Sequence, residues 1–236
     1  MSGDPYIDIP FDVEYLDIYY IRRAIMKALT ENLRYFNGTL LDVGCGRMPY
    51  RKYIQSNSRV DKYVGLDIET AHVYDKNIKP DYRWDGITMP FTNEEFDTAI
   101  ATEVLEHCHD PLLVLKEIYR VLKPQGVFFF TVPFLWNLHE VPHDEYRYTP
   151  FALKKIAEDA GFSDIQIFPT GGWHASLAQV LGLWVRRSPI SDNQRKMLSY
   201  FAKPVMRYLI KKDNVNKTDF LKGPMITGLY GICLKL

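Results

Sequence analysis

The run Leu40-Leu41-Asp42-Val43-Gly44-Cys45-Gly46-Arg47 constrains this chain more than any other stretch of it. A short apolar segment ends in an acid, and two glycines follow one residue apart. A second apolar run, Tyr63-Val64-Gly65-Leu66-Asp67, also ends in an acid. Both runs are too short for helices and read as strands buried in a parallel sheet. Glycines directly after a strand let the backbone turn sharply and let a ligand approach it closely. An acid at the tip of the next strand can accept hydrogen bonds from a ribose diol. The pattern predicts a site for a nucleoside-bearing cofactor at the carboxyl edge of an α/β sheet.

The rest of the chain alternates in the same way. Residues 12–36 carry Leu16, Tyr20, Ala24, Ala28 and Leu29 at helical spacing, and Asn37-Gly38 closes the segment. Tyr82 to Gly86 and Phe96 to Ala101 read as strands. Asp110-Pro111 caps and opens a helix through about Leu122, which Lys123-Pro124-Gln125-Gly126 stops. Val127 to Val132 is apolar throughout and predicts a strand buried on both faces. Thr149-Pro150 opens a further helix, ended by Gly161, and Ile165 to Phe168 is a sixth strand. From Gly171 to about Lys212 the pattern is helical and aromatic. Met225 to Leu236 reads as a terminal strand, weakened or bulged by Gly228 and Gly231. Strands alternating with helices, with the chemistry at strand tips, are the doubly wound signature.

Charge and cysteine usage narrow the class. With 29 basic and 29 acidic residues the formal net charge is zero. That argues against a nucleic-acid partner, since phosphate binding leaves a basic footprint. The three cysteines, Cys45, Cys108 and Cys233, are scattered, which predicts a reduced, cytoplasmic setting. The first residues lack a basic start and an apolar core, so no signal peptide is expected, and no apolar run is long enough to span a bilayer.

The glycine loop selects among cofactors. A dinucleotide fingerprint wants a third glycine where this chain has Pro49. Asp42 beneath the loop would repel a pyrophosphate and could pair with an ammonium group. Leu40 to Gly46, then Asp67, Asp85-Gly86, Phe96-Asp97, Glu103-Val104-Leu105-Glu106-His107 and Leu122-Lys123-Pro124-Gln125-Gly126, in that order, resemble class I S-adenosylmethionine-dependent methyltransferases of the type 11-like, small-molecule group. The resemblance runs from about Thr39 to Phe168. It departs at Met48, where the family often has a third glycine.

The resemblance implies a Rossmann-like, doubly wound, seven-stranded, mostly parallel sheet with an antiparallel terminal strand, in a three-layer α/β/α domain spanning residues 1–236. It implies S-adenosylmethionine as cofactor. Gly44, Cys45 and Gly46 would lie against its methionine part. Asp67, with Ile68 beside it, would hold the ribose hydroxyls. Asp85 would accept from the adenine amino group, with Gly86 next to the ring, and Thr102 and Glu103 would line the methionine side. Glu103, Glu106 and His107 also resemble a set that holds a divalent ion in members that methylate diols. His143 is the candidate for the fourth ligand, and the donors suit magnesium or a transition ion. The other reading is that Glu106 and His107 orient loops and cap the next helix.

Two further patterns are coincidences. His139-Glu140-Val141-Pro142-His143 has zincin spacing, but Pro142 breaks the helix that zincin chemistry needs, so the segment is expected to be a loop. Tyr119 and Lys123 have the spacing of a short-chain dehydrogenase pair. They read instead as a packing aromatic and a helix C-terminal cation.

Methyl transfer to a hydroxyl needs a group that removes a proton. His143 is the first candidate, followed by His139, Tyr146 and His107. The expected activity is methylation of a small molecule at oxygen: a sugar, a glycolipid precursor or a secondary metabolite. Alternatives are a cofactor-binding module without catalysis, a metal-assisted O-methyltransferase of a vicinal diol, and an NAD-dependent reductase. Residues 171–222 form an insertion before the last strand. Leu177, Val180, Leu181, Trp184 and Val185 make an apolar stripe ending in Arg186-Arg187, expected as an acceptor lid, a homodimer face or a membrane-surface helix. The helix at 12–36, with Tyr15, Tyr19 and Tyr20, is expected either to cap the cofactor or to supply ordinary packing aromatics.

Overall fold

A computed structural model of the protein describes residues 4–69, 78–215 and 219–236. Residues 1–3, 70–77 and 216–218, the last within the expected insertion, lie outside the described residues. The elements are α1 (Tyr19–Asn32), β1 (Asn37–Val43), α2 (Arg51–Asn57), β2 (Arg59–Ile68), β3 (Tyr82–Trp84), β4 (Phe96–Thr102), α3 (Pro111–Val121), β5 (Leu122–Pro133), α4 (Pro150–Asp159), β6 (Ser163–Pro169), α5 (Trp173–Arg187), α6 (Asp192–Lys212) and β7 (Gly228–Leu234). The sheet order is β3-β2-β1-β4-β5-β7-β6. β1 pairs in parallel with β2 and β4, β2 with β3, and β4 with β5.

β7 runs the other way. The Gln125 amide donates to the Lys235 carbonyl and the Lys235 amide to the Gly126 carbonyl, while at the far end Thr170 N–H donates to the Gly228 carbonyl. The Rossmann-like sheet with its antiparallel terminal strand is therefore the architecture found. Strand order reverses between β1 and β4, and ligands of such sheets bind in the crevice outside the carboxyl ends at that switch.

The sheet is built as its residues dictate. Phe128, Phe129 and Phe130 of β5 are fully buried, as a run apolar on both faces requires. Gly231, expected to weaken β7, has a steric purpose: a Cβ there would stand 2.3 Å from Cζ of Phe130. β5 begins at Leu122 rather than Val127. Lys123 to Gly126, expected only to stop the preceding helix, form a bulge in that strand, with Gln125 at φ +65° and a register shift against Phe96 to Thr98. The helix expected over 12–36 is shorter: Asp12 caps a single turn at Val13–Tyr15, and α1 covers Tyr19–Asn32.

Two pieces of the methyltransferase resemblance lie at the amino edge of the sheet, away from the switch. Lys123 Nζ donates to Asp97 Oδ1 at 2.8 Å, and Asp97 Oδ2 accepts from the Thr39 amide at 2.9 Å. That carboxylate fills the place where Gly38 would carry a Cβ. Phe96-Asp97 and Lys123 thus brace β1, β4 and β5. Tyr119 sets its ring edge-on against Phe162, so it is a packing aromatic.

The chain forms two compact units. One comprises residues up to 28, 133–138 and 169–229; the other comprises 29–132, 139–168 and 230–236 and holds the sheet. In the first unit, α5 and α6 pack through Ala178, Val185, Ala202, Met206 and Leu209, with Leu16 among them. Gly182 of α5 lets the carbonyl of Leu16 approach: a Cβ there would lie 2.2 Å from its oxygen. Arg187 pairs with Asp17, and Asp213 accepts from the amides of Gly172 and Ala175. Tyr20 donates its hydroxyl to the Thr170 carbonyl.

Candidate active site

The loop after β1 has three residues in the left-handed region: Gly44 at φ +66°, Gly46 at +48° and Met48 at +51°. Met48 thus holds a left-handed conformation that favours glycine, at a cost of about 1–2 kcal/mol. Its buried side chain compensates by packing on β2. A Cβ at Gly65 would lie 2.5 Å from Met48 Sδ and 2.9 Å from Cys45 Sγ. Gly65 is a site-shaping residue that the sequence reading passed over as part of a strand. Cys45 is buried, which pushes its thiol up and leaves it unreactive.

Asp67 joins this loop to the tip of β2. Its Oδ2 accepts from the Gly46 amide at 3.1 Å and its Oδ1 from the Ile68 amide at 2.9 Å. Burial raises its pKa, the two amides counter that, and the nearby Glu140 raises it further. Asp42 lies one layer deeper. It is buried and accepts the Tyr63 hydroxyl at 2.6 Å. Burial lifts its pKa to about 7 against the opposing effect of that hydrogen bond. Asp85 is exposed and accepts from the amides of Ile87 and Thr88, which hold its pKa below the usual range. Among the described residues nothing lies within 4 Å of the place where Gly86, at φ +82°, would carry a Cβ.

The tip of β4 is fastened to β5. Thr102 pairs with Thr131. Glu103 is at φ +55°, a strained conformation of the kind that clusters at functional sites. Its amide donates to the Thr131 carbonyl at 3.0 Å, and Thr131 Oγ1 donates to Glu103 Oε1 at 2.8 Å.

Beyond it, the segment His139 to Tyr148 is non-helical, as Pro142 predicts, and it is tied down by the carbonyl of Glu106, which accepts from the amides of Glu145 and Tyr146. Glu106 is fully buried, and neither carboxyl oxygen has a hydrogen-bond partner among the described residues. Burial and the adjacent Glu103 hold its pKa well above the usual carboxylate range. The ring of His107 meets that of His139 edge-on at 4.7 Å, and ligand atoms of Glu106, His107 and His139 all lie within 4.8 Å of one another.

Both imidazoles are oriented by oxygen acceptors. His107 Nδ1 donates to the His143 carbonyl at 3.0 Å, and His139 Nδ1 donates to Asp144 Oδ2 at 3.1 Å. Asp144 is in turn clamped by two nitrogens of Arg147, which with the His139 amide hold its pKa at about 2 despite burial. Burial keeps the pKa of His139 below the ordinary imidazole range. His143 is exposed and contributes its carbonyl. Tyr146 donates its hydroxyl to the His109 carbonyl and stacks on Tyr148. The structure thus gathers Glu103, Glu106, His107 and His139. Asp144 and Arg147 were not singled out in the sequence, since spacing within a non-helical loop fixes no contact.

Residues 41–130 match a family described as a methyltransferase domain. The protein of Haemonchus contortus solved with S-adenosyl-L-methionine, a phosphoethanolamine N-methyltransferase, has the same fold at a TM-score of 0.56 and 16% identity, over 100% of this chain and 60% of that one. Residues 41–130 carry a methyltransferase domain, and the sheet around them has the class I methyltransferase fold. Two curated relatives of this methyltransferase domain are a ubiquinone biosynthesis O-methyltransferase of Actinobacillus pleuropneumoniae and a sterol 24-C-methyltransferase of Clavispora lusitaniae. The first is 32% identical over 107 residues, 41% of this chain and 46% of that protein. The second is 32% identical over 139 residues, 53% of this chain and 35% of that protein. The chain spans half or less of the length of these relatives. Their names cover oxygen and carbon as the methylated atom, and the Haemonchus structure adds nitrogen, so likeness leaves the acceptor atom open. The cofactor of the domain is S-adenosylmethionine, and the loop of Gly44 to Met48 and Asp67 lie at the carboxyl edge of the strands, where sheets of this topology bind their ligands.

Proposed function

We propose that this protein transfers the methyl group of S-adenosylmethionine to a hydroxyl of a small-molecule acceptor. The observation that carries the oxygen preference is the His139–Asp144 pair. An oxygen acceptor must lose a proton, and an oriented, neutral imidazole is the group suited to take it. Asp144 fixes the His139 tautomer through Nδ1, leaving Nε2 as the basic nitrogen, and Arg147 keeps Asp144 ionised. Glu140 of the same loop raises the pKa of Asp67, the residue proposed to hold the ribose, which supports a base in this loop acting near the cofactor.

In the step we propose, the acceptor oxygen attacks the sulfonium methyl carbon in line. The carbon–sulfur bond breaks with its electrons going to sulfur, and the hydroxyl proton passes to His139 Nε2. The products are S-adenosylhomocysteine and a methyl ether. The protein's main tasks are placement and water exclusion, since the methyl is already activated. The base in this reading is His139, with His107 packed on it, rather than His143 or Tyr146.

A second reading rests on Glu106. A buried carboxylate whose oxygens have no hydrogen-bond partner among the described residues, beside two imidazoles each with Nδ1–H held by an oxygen acceptor, is the donor set of a divalent metal site. Glu106, His107 Nε2 and His139 Nε2 would hold the ion, with the His143 carbonyl orienting a ligand in place of its imidazole binding the metal. Such an ion would polarise a bound hydroxyl or diol.

Labelled S-adenosylmethionine offered with a panel of sugars, polyols, glycolipid precursors and phenols tests the first reading, with a methyl ether as the expected product. Cofactor binding without transfer to any acceptor would favour a cofactor-binding module. Metal content of the purified protein and a thermal shift on adding manganese or zinc test the second reading. No bound metal, no shift and full activity in chelator would remove it.

A further inference from the structure

Charge is segregated along this chain. Residues 173–212 hold eight lysines and arginines against one acid, Asp192, a net charge of +7, which leaves the remainder of a neutral chain at −7. These residues are α5 and α6 with the short link between them. Their mutual packing uses small and apolar side chains, among them Ala178, Val185, Ala202 and Met206. The opposite faces are also apolar and are exposed.

On α5, Trp173, Leu177, Val180 and Trp184 recur at helical spacing and stand about half or more exposed. On α6, Met197, Phe201, Val205 and Tyr208 do the same, with Tyr200 at 76%. A single exposed apolar residue needs no explanation, but two helical stripes with five aromatics among them do. Part of the positive charge is consumed internally: Arg187 pairs with Asp17, Lys203 with Asp12, and Arg195 donates to carbonyls at the end of α5. Lys196, Arg207, Lys211 and Lys212 have no carboxylate partner among the described ion pairs of this unit, and they flank the α6 stripe. Among the described residues no helix is long and apolar enough to cross a membrane.

We propose that the outer face of the α5–α6 hairpin docks on an anionic lipid bilayer surface. Charge decides between occupants. A second copy seated here by two-fold symmetry would set a +7 segment against itself, since such an interface brings the same patch together from both subunits. A bilayer bearing acidic headgroups complements the charge, takes up Trp and Tyr at the headgroup level, and buries Leu, Val, Met and Phe just beneath. This inference stands apart from the identity of the methyl acceptor.

The test is co-sedimentation of the full chain with vesicles of phosphatidylcholine, with and without about one-third phosphatidylglycerol. Binding to the anionic vesicles should exceed binding to neutral ones by at least roughly tenfold and should fall sharply in high salt. The double variant Trp184→Ser, Phe201→Ser changes exposed side chains only. It should lose at least roughly tenfold in vesicle binding while keeping its melting temperature and its affinity for S-adenosylhomocysteine. Reversal of charge in Lys211→Glu, Lys212→Glu should weaken binding to anionic vesicles alone. Absence of binding to anionic vesicles would overturn the proposal. So would equal binding to neutral ones, or a dimer in sedimentation that the Ser variant abolishes.

Discussion

The Asp67 carboxylate receives the Gly46 amide at 3.1 Å, so the acid at the tip of β2 and the glycine loop after β1 are held as one piece. Its other oxygen receives the Ile68 amide. A carboxylate has about four acceptor positions, so two directions are left for ribose hydroxyls. The same carboxyl therefore shapes the loop and, in the function we propose, accepts from the cofactor's ribose.

Gly44 is held by Val104. An added Cβ at Gly44 would lie 2.6 Å from Val104 Cγ2, and φ is +66°. Gly44→Ala is expected to destabilise the protein by about 2–4 kcal/mol, the sum of left-handed strain and overpacking. Val104→Ala in the same chain should recover only the overpacking part. Urea unfolding of the two single variants and the double variant measures the coupling, and additive effects would show that the two residues do not clash.

Gly231→Ala tests the account of β7. The new methyl meets the Phe130 ring within a fully buried layer, so a loss of about 1–3 kcal/mol is expected. A denaturation midpoint equal to that of the unsubstituted chain would mean that the ring yields freely.

Asp42 gives a pH signature of definite sign. Its pKa is about 7 in the folded chain and 3.8 as the ordinary value. The unfolded chain therefore releases this proton first, and stability present below about pH 4 is lost as pH rises through 7. The loss from this group is at most on the order of 4 kcal/mol. Asp42→Asn can still accept the Tyr63 hydroxyl, and it should flatten the decline between pH 4 and 8. Urea unfolding across that range checks it; identical slopes in both proteins would place the titration elsewhere.

The two loop histidines should separate in kinetics. His139→Ala is expected to lower kcat by about 100-fold or more, the typical contribution of a general base, with S-adenosylhomocysteine affinity within about twofold. His143→Ala should keep turnover near normal, because its main-chain carbonyl, which the substitution retains, is what holds His107. Turnover assays on both variants decide this; the reverse ranking would return His143 to the mechanism.

The glycine loop, the acid-tipped strands and the doubly wound order were legible because they rest on local rules: short apolar runs, positive φ after a strand, and acids at strand ends. Met48 in the left-handed region was not, since a methionine there gives no local signal and is explained only by Gly65 across the β1–β2 pair. The His139–Asp144–Arg147 chain was hidden for a similar reason. Irregular backbone from His139 to Tyr148 decides which imidazole turns inward, and no periodicity encodes that. The bulge at Gln125 also depends on pairing with a distant strand. Lys123 and Asp97 were read as part of the methyltransferase resemblance, and only their position on the amino edge reveals a bracing role.

Calorimetric titration of S-adenosylhomocysteine into the intact protein and into Asp67→Ala measures whether Asp67 and the glycine loop hold the cofactor. The cofactor site described here predicts saturable binding to the intact protein. It predicts a weakening of roughly tenfold to a hundredfold in Asp67→Ala, as loss of hydrogen bonds to a charged group requires. An intact protein that fails to bind, or an Asp67→Ala variant that binds equally well, would contradict it.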